Sequence, residues 1–183
     1  MSLKLIAAAA AGLSLSLAGG TFALAQMMKA EKTVQVGGAP MYPSKTIVQN
    51  AIHSKDHTTL VTAVKAAGLV DTLSSPGPFT VFAPTNAAFG KLPAGTVDSL
   101  VKPENKGTLT KVLTYHVVPG RLSAMDLQGK STLRTVQGET LKVTARNGAV
   151  WLTDAKGGMS KVTIPNVYQS NGVIHVVDTV LMP

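Results

Sequence analysis

Cysteine is absent from the 183-residue chain. That removes a disulfide scaffold, an iron–sulfur cluster, a cysteine nucleophile and a thiolate zinc site. Aromatic residues make up only 4%, with a single tryptophan, too few for rows of rings that stack on single-stranded nucleic acid. Acidic residues are scarce: nine Asp and Glu stand against 17 Lys and Arg, a formal net charge of +8. Catalytic motifs are also missing. The chain has no His-Glu-x-x-His, no Gly-x-Ser-x-Gly, no P-loop and no Gly-x-Gly-x-x-Gly, and Asp154 and Asp178 stand isolated. The reading is of a protein that is not an enzyme and carries no cofactor and no metal. No Asn-x-Ser/Thr sequon and no Arg-Gly-Asp occurs.

What is present is one domain's worth of core. Apolar residues make up 45%, enough for a chain of 18.9 kDa to fold alone. Residues 1–25 read as a cleaved signal peptide: Lys4 is the positive start, an apolar run follows from Leu5, and Ala23-Leu24-Ala25 is a small-x-small cleavage site. The run is short for a membrane span, so an exported product, periplasmic or extracellular and not membrane-spanning, is expected. Residues 26–44, with Gly37-Gly38 and two prolines, read as a flexible N-terminal linker.

From Lys45 the pattern becomes helical. Ile47, Val48, Ala51 and Ile52 share a face, and Leu60, Val61, Val64 and Ala67 repeat it. Asp56 reads as an N-cap between these helices, and Gly68 as the close of the second. Phe79 to Phe82 is a short strand, Thr85 caps a short helix, and 96–113 is helix interrupted at Pro103. The C-terminal third is β. Leu141, Val143 and Ala145 alternate with Lys142, Thr144 and Arg146, so that strand has one wet face. Asn147-Gly148 marks a hairpin, Pro165 breaks the next strand, and the run after Gly172 is buried on most sides. From Lys102 to Lys161, ten basic residues face four acidic ones, singly spaced. Such an excess is either a solvated surface or an attraction to anionic partners.

Three stretches together resemble the fasciclin (FAS1) domain family: TVFAPTNAAF at 80–89, TYHVVPG at 114–120 and NGVIHVVDTVLMP at 171–183. The resemblance covers residues 45–183. It implies a single α+β domain, a β-sandwich or wedge flanked by a layer of helices. It also implies a secreted protein of non-covalent adhesion or envelope interactions, with cell-envelope or extracellular-matrix partners and no nucleic acid. Some relatives carry pigments, so a soluble carrier of a carotenoid- or lipid-like molecule is the alternative. Two departures stand out. Asn86 replaces an acid common in the family, which would weaken a local contact. Ile164-Pro165-Asn166-Val167-Tyr168 keeps the proline of the animal adhesion segment but not its acids.

Six residues are adhesion candidates on this resemblance: Tyr115, His116, Asn166, Val167, Tyr168 and Asn171. Tyr115 and His116 have a second reading, as a buried hydrogen-bonding pair that braces the fold. Thr85 and His175 read as structural, with His175 a core histidine that could pair with the Tyr115-His116 region. His53 and His57, four apart, are either a metal pair on a helix face or a solvated junction, since Ser54 and Asp56 favour a break. Trp151 is a core or edge plug, or one wall of an apolar pocket.

Overall fold

Helical spacing in the middle of the chain and strand alternation at its end build two layers. The computed structural model describes residues 32–183. The expected signal peptide and its cleavage point lie outside them. The first described element corrects an expectation. The described part of the supposed linker is a hairpin, β1 (Val34–Val36) and β2 (Ala39–Met41), with Val34 opposite Met41. Val36 and Met41 are buried in the core. Gly37 and Gly38 form its turn at φ 58° and 75°. A side chain at Gly37 would collide with Ser54 Oγ and crowd the Asp56 backbone nitrogen. Three-residue strands are too short to show a period, so Gly-Gly suggested a linker where it makes a turn.

The helical layer follows: α1 (Ile47–Ala51), α2 (Thr58–Ala67) and α3 (Val70–Ser74). Thr46 and Gln49 form a capping box on α1. Gly68, left-handed at φ 71°, closes α2. After strand β3 (Phe79–Pro84), Thr85 caps α4 (Asn86–Gly90) through the Ala88 N–H. Next come α5 (Thr96–Leu100) and α6 (Lys106–Tyr115), separated by a 3-10 turn at Pro103–Asn105. The remaining elements are β4 (Val117–Pro119), α7 (Ala124–Gln128), β5 (Thr132–Arg134), β6 (Thr140–Arg146), β7 (Ala149–Thr153), β8 (Met159–Gln169) and β9 (Gly172–Val177).

The seven strands β3–β9 run in the order β4-β3-β9-β8-β7-β6-β5. Only β3 and β9 are parallel; the other pairs are antiparallel. Pro165 does not break β8, as the sequence suggested. The strand absorbs the proline through register shifts between Val162, Ile164 and Val167, with Asn166 at φ 59°. Bulges bend a strand, and β8 here passes from pairing with β7 at its start to pairing with β9 at its end. The Val136 N–H then bonds the Val117 carbonyl at 2.8 Å, tying the end of β5 to β4.

Alternation along β3 and β9 divides the core. Val81, Ala83, Ile174 and Val176 face the helices and the N-terminal hairpin. Phe82 and Val177 face the other way, into a second cluster with Tyr115, Leu127, Leu141, Leu152 and Leu181. The fold is α+β, a sheet wedge with α1–α6 packed on the first cluster and the short α7 on the second. No helix of the described residues is long and apolar enough to cross a membrane.

Candidate functional site

Tyr115 is the last residue of α6 and His116 its C-cap, and both are buried. The Tyr115 hydroxyl donates to the Thr140 carbonyl at 3.3 Å and accepts from the Ala155 N–H at 3.0 Å. Burial pushes its pKa up. His116 bonds the Val112 carbonyl through Nδ1 at 2.8 Å, and its Nε2 accepts from the Leu181 N–H at 3.0 Å. That pattern requires a neutral ring protonated at Nδ1. Desolvation lowers its pKa to about 4, against the opposing Val112 carbonyl and Asp154 charge. Neither side chain is placed to meet a partner protein; together they lock α6 to β6 and to the C-terminal strap.

His175 makes a second lock of the same kind. It lies in the all-buried strand β9, stacked on Phe82 with ring centroids 5.8 Å apart. Its Nε2 bonds the Leu122 carbonyl at 2.8 Å and its Nδ1 accepts from the Asn166 N–H at 3.3 Å. It forms no bond with Tyr115 or His116. The link runs through Phe82, whose N–H bonds the His116 carbonyl at 2.9 Å. Asn166 in turn accepts the Ala124 N–H at 2.8 Å, holding the start of α7.

Asn171 is likewise buried in structural bonds. Its side chain accepts from the Ile47 N–H at 3.0 Å and donates to the Leu73 and Ser75 carbonyls at 2.8 and 2.9 Å. It gathers α1, α3 and the β8–β9 turn at one point. Val167 is in the helix-side core. Of the six adhesion candidates only Tyr168 is exposed, at 41%, while Asn166 is half-buried. Burial removes Tyr115, His116, Val167 and Asn171 from any contact surface.

His53 and His57 do not form a pair. The helix ends at Ala51, His53 is exposed, and His57 is buried under the N-terminal hairpin, not at a solvated junction. His57 Nδ1 lies 2.9 Å from Ser54 Oγ. Burial lowers its pKa, against the Ala83 carbonyl and the Asp56 charge. Asp56 does not cap α2. Asn86 does so from across the chain, accepting the Thr59 N–H at 3.1 Å while its amide donates to the Lys55 carbonyl at 2.8 Å. An aspartate could not make the second bond, so the amide at 86 makes a two-sided contact where the departure was expected to weaken one. Among the described residues no three His, Asp or Glu side chains are grouped to hold a metal ion.

Between the helices and the sheet lies a cavity of about 50 Å³, lined by residues such as Val36, Met41, Leu60, Val64, Val81 and Ile174. Trp151 is not among its lining residues. It sits half-buried on the outer face of β7, with the Lys161 ammonium 5.8 Å from its ring centre.

That outer face is the region the motifs did not mark. Leu133, Leu141, Val143, Val150 and Leu152 point into the core. Their strand neighbours therefore point out: Thr132 and Arg134 on β5, Thr140, Lys142, Thr144 and Arg146 on β6, Trp151 and Thr153 on β7, Lys161 on β8. Register places Thr132, Lys142 and Thr153 in one row and Thr144, Trp151 and Lys161 in the next. Arg134, Lys142 and Arg146 are exposed and have no carboxylate partner among the described residues. Three acids lie nearby and none pairs with these cations: Glu139, exposed next to Thr140, accepts the Gln137 amide at 3.4 Å. Asp154 is buried, accepting from the Lys156, Gly158 and Met182 N–H groups. Asp178, at the border, accepts from the Lys161 N–H and Thr179 hydroxyl. The period-2 alternation at 140–146 was the signal for this face. Its assembly with β5 and β7 was not visible in it.

Comparison with known proteins agrees with this architecture. The family model of the fasciclin domain matches residues 55–183. Protein sll1483 of Synechocystis is 48% identical over 89% of this chain and 87% of its own length. Immunogenic protein MPB70 of Mycobacterium bovis is 41% identical over 73% of this chain and 66% of its own. The cell surface glycolipoprotein MPB83 of the same species is 43% identical over 63% of this chain and 48% of its own. Among solved structures, a FAS1 domain pair from the insect cell adhesion molecule Fasciclin I superposes with a TM-score of 0.68 at 18% identity. The match covers 84% of this chain and 59% of that one. On the family match and these relatives, the chain belongs to the fasciclin domain family.

Proposed function

We propose that the protein works by non-covalent contact at the cell envelope or in the surrounding matrix, after export, and that the outer sheet face is the surface it presents. One observation carries this reading: Arg134, Lys142 and Arg146 are exposed and unpartnered among the described residues on one sheet face. The motif residues are engaged in holding the fold, so contact falls to residues the fold leaves free. The name of MPB83, a cell surface glycolipoprotein, is consistent with that compartment. This reading assigns the protein no reaction.

Carriage of an apolar small molecule is the competing reading, and it needs room. Pockets that cover drug-sized ligands measure roughly 300–1,000 Å³, against about 50 Å³ in the apolar cavity between helices and sheet. A carrier would have to widen this cavity several-fold. The test is a native mass spectrum and absorbance scan of protein purified from its own host, followed by retention on host envelope material across a salt series. An unliganded mass with salt-sensitive retention supports surface contact. A stoichiometric extra mass or visible colour overturns it in favour of carriage.

A further inference from the structure

We infer that the outer face of β5–β8 binds a polyanionic polysaccharide, a chain bearing repeated carboxylate or sulfate groups. The inference rests on the contact function proposed above and names its partner. The geometry is a stripe. Arg134 faces out from β5 opposite Thr140, Lys142 follows one step along β6, and Arg146 lies four residues beyond Lys142. At about 3.4 Å per residue and about 4.8 Å between strands, the three cations span roughly 20 Å on a diagonal. Lys161 lies on the same face two strands from β6, held against the Trp151 ring.

Three features of the stripe select the partner. Its length exceeds the Debye length of about 8 Å at physiological salt, so a small anion senses one cation at a time while a polymer engages all of them. The positions between the cations are hydroxyls: Thr132, Thr140, Thr144 and Thr153 face out beside them, suited to hydrogen bonds with sugar hydroxyls. Arginine at both ends provides the planar fork that grips carboxylate or sulfate in two bonds. A lipid surface is the poorer fit. Interfacial binding depends on apolar side chains that enter the bilayer, and here the large outward apolar residues of these strands are the half-buried Trp151 and, opposite Thr153 on the same face, Met159 at 49% exposed, both set among Thr, Lys and Arg.

The experiment uses the full mature chain and three probes: heparin and polygalacturonate as polyanions, dextran as a neutral polymer, and phosphatidylglycerol vesicles. Two variants each lose three positive charges. One is R134Q/K142Q/R146Q on the sheet face. The other is K55Q/K102Q/K111Q on exposed positions of the helical side. Thermal melts verify that both stay folded.

The expected result has four parts. Wild type binds a polyanion with an affinity that falls with salt and does not bind dextran. It binds the polyanion better than vesicles. The sheet variant loses about tenfold or more in affinity, a change of about 1.4 kcal/mol or more. The helical-side variant stays within about twofold. Equal loss in the two variants reduces the effect to net charge and overturns the inference. So does stronger binding to vesicles than to polymers. If the sheet variant still adheres to host envelope material as wild type does, this inference fails and the contact function stands. If wild type adheres to none of these materials, the contact function itself fails.

Discussion

The two halves of the sheet are built to opposite specifications. In the half made of β3 and β9, every residue of β9 is buried, and five of the six residues of β3 are as well. In the half made of β5, β6 and β7, inward apolar residues alternate with outward Thr, Lys and Arg. The family motifs lie in or beside the first half, and the free surface lies in the second. Residues that recur in a signature here hold strands, turns and strap together. A sandwich interior constrains residue identity through packing and paired hydrogen bonds. An exposed face constrains it only through whatever it touches. On the reading proposed above, the binding residues are therefore sought outside the motifs.

The sharpest test of this contrast is steric. Gly172 opens β9, and a Cβ there would collide with the Phe79 carbonyl oxygen and lie 3.1 Å from Ile47 Cδ1. Gly172→Ala is expected to cost about 3 kcal/mol, at the upper end of overpacking effects, read from urea unfolding. A loss under about 1 kcal/mol would show that the motif half is not tightly packed at its centre.

The buried histidines give a pH test of nearly the same size. His116, His57 and His175 all have pKa values lowered by burial, His116 to about 4. Between about pH 6.5 and that value the unfolded chain takes up protons that the folded chain refuses. Stability is therefore complete above pH 6.5 and is lost as pH falls. His116 alone accounts for about 3 kcal/mol of that loss by pH 4. Equilibrium unfolding measured from pH 7.5 to 4 should show the decline, and His116→Gln should flatten it. A profile level through this window would contradict the two-sided hydrogen bonding assigned to the ring.

A smaller effect is expected at the junction between the helical layer and β3. Asn86→Asp keeps the acceptor for the Thr59 N–H but loses the donor to the Lys55 carbonyl. It should lower stability by about 1 kcal/mol, seen as a lower melting temperature. An unchanged or raised melting temperature would mean that a charge at the start of α2 outweighs the lost bond. The smallest effect belongs to the other half. R134Q/K142Q/R146Q should leave stability within about 0.5 kcal/mol, because none of the three side chains has a partner among the described residues. A large loss would mean that these cations are structural after all, and the contrast between the halves would disappear.

Much of the architecture was legible from local pattern. The β6–β7 hairpin followed from Asn147-Gly148 and the alternation beside it, because a tight turn with both φ angles positive accepts few residue types. Thr85 as a cap and Gly68 as a helix end were legible for the same reason, since each acts within a turn of its own position. Helix α7 was not assigned, although Ser123 and Asp126 form its capping box. At five residues it is too short to show a period, and the box was its only signal. The hairpin at 34–41 was hidden in the same way.

What the sequence determined by itself was class, turn positions, the strand with a wet face, and membership in a recognisable family. These depend on steric rules and periodicities that operate over a few residues. Only the tertiary structure decided that Tyr115, His116, Val167 and Asn171 face inward. Only it moved the cap of α2 to Asn86 and aligned Arg134 with Lys142 and Arg146. Each of these depends on which distant segment lies alongside. Asn171 meets Ile47 across a separation of 124 residues. Packing against such neighbours, and not the local residue pattern, sets which side chains are enclosed and which are left to meet another molecule.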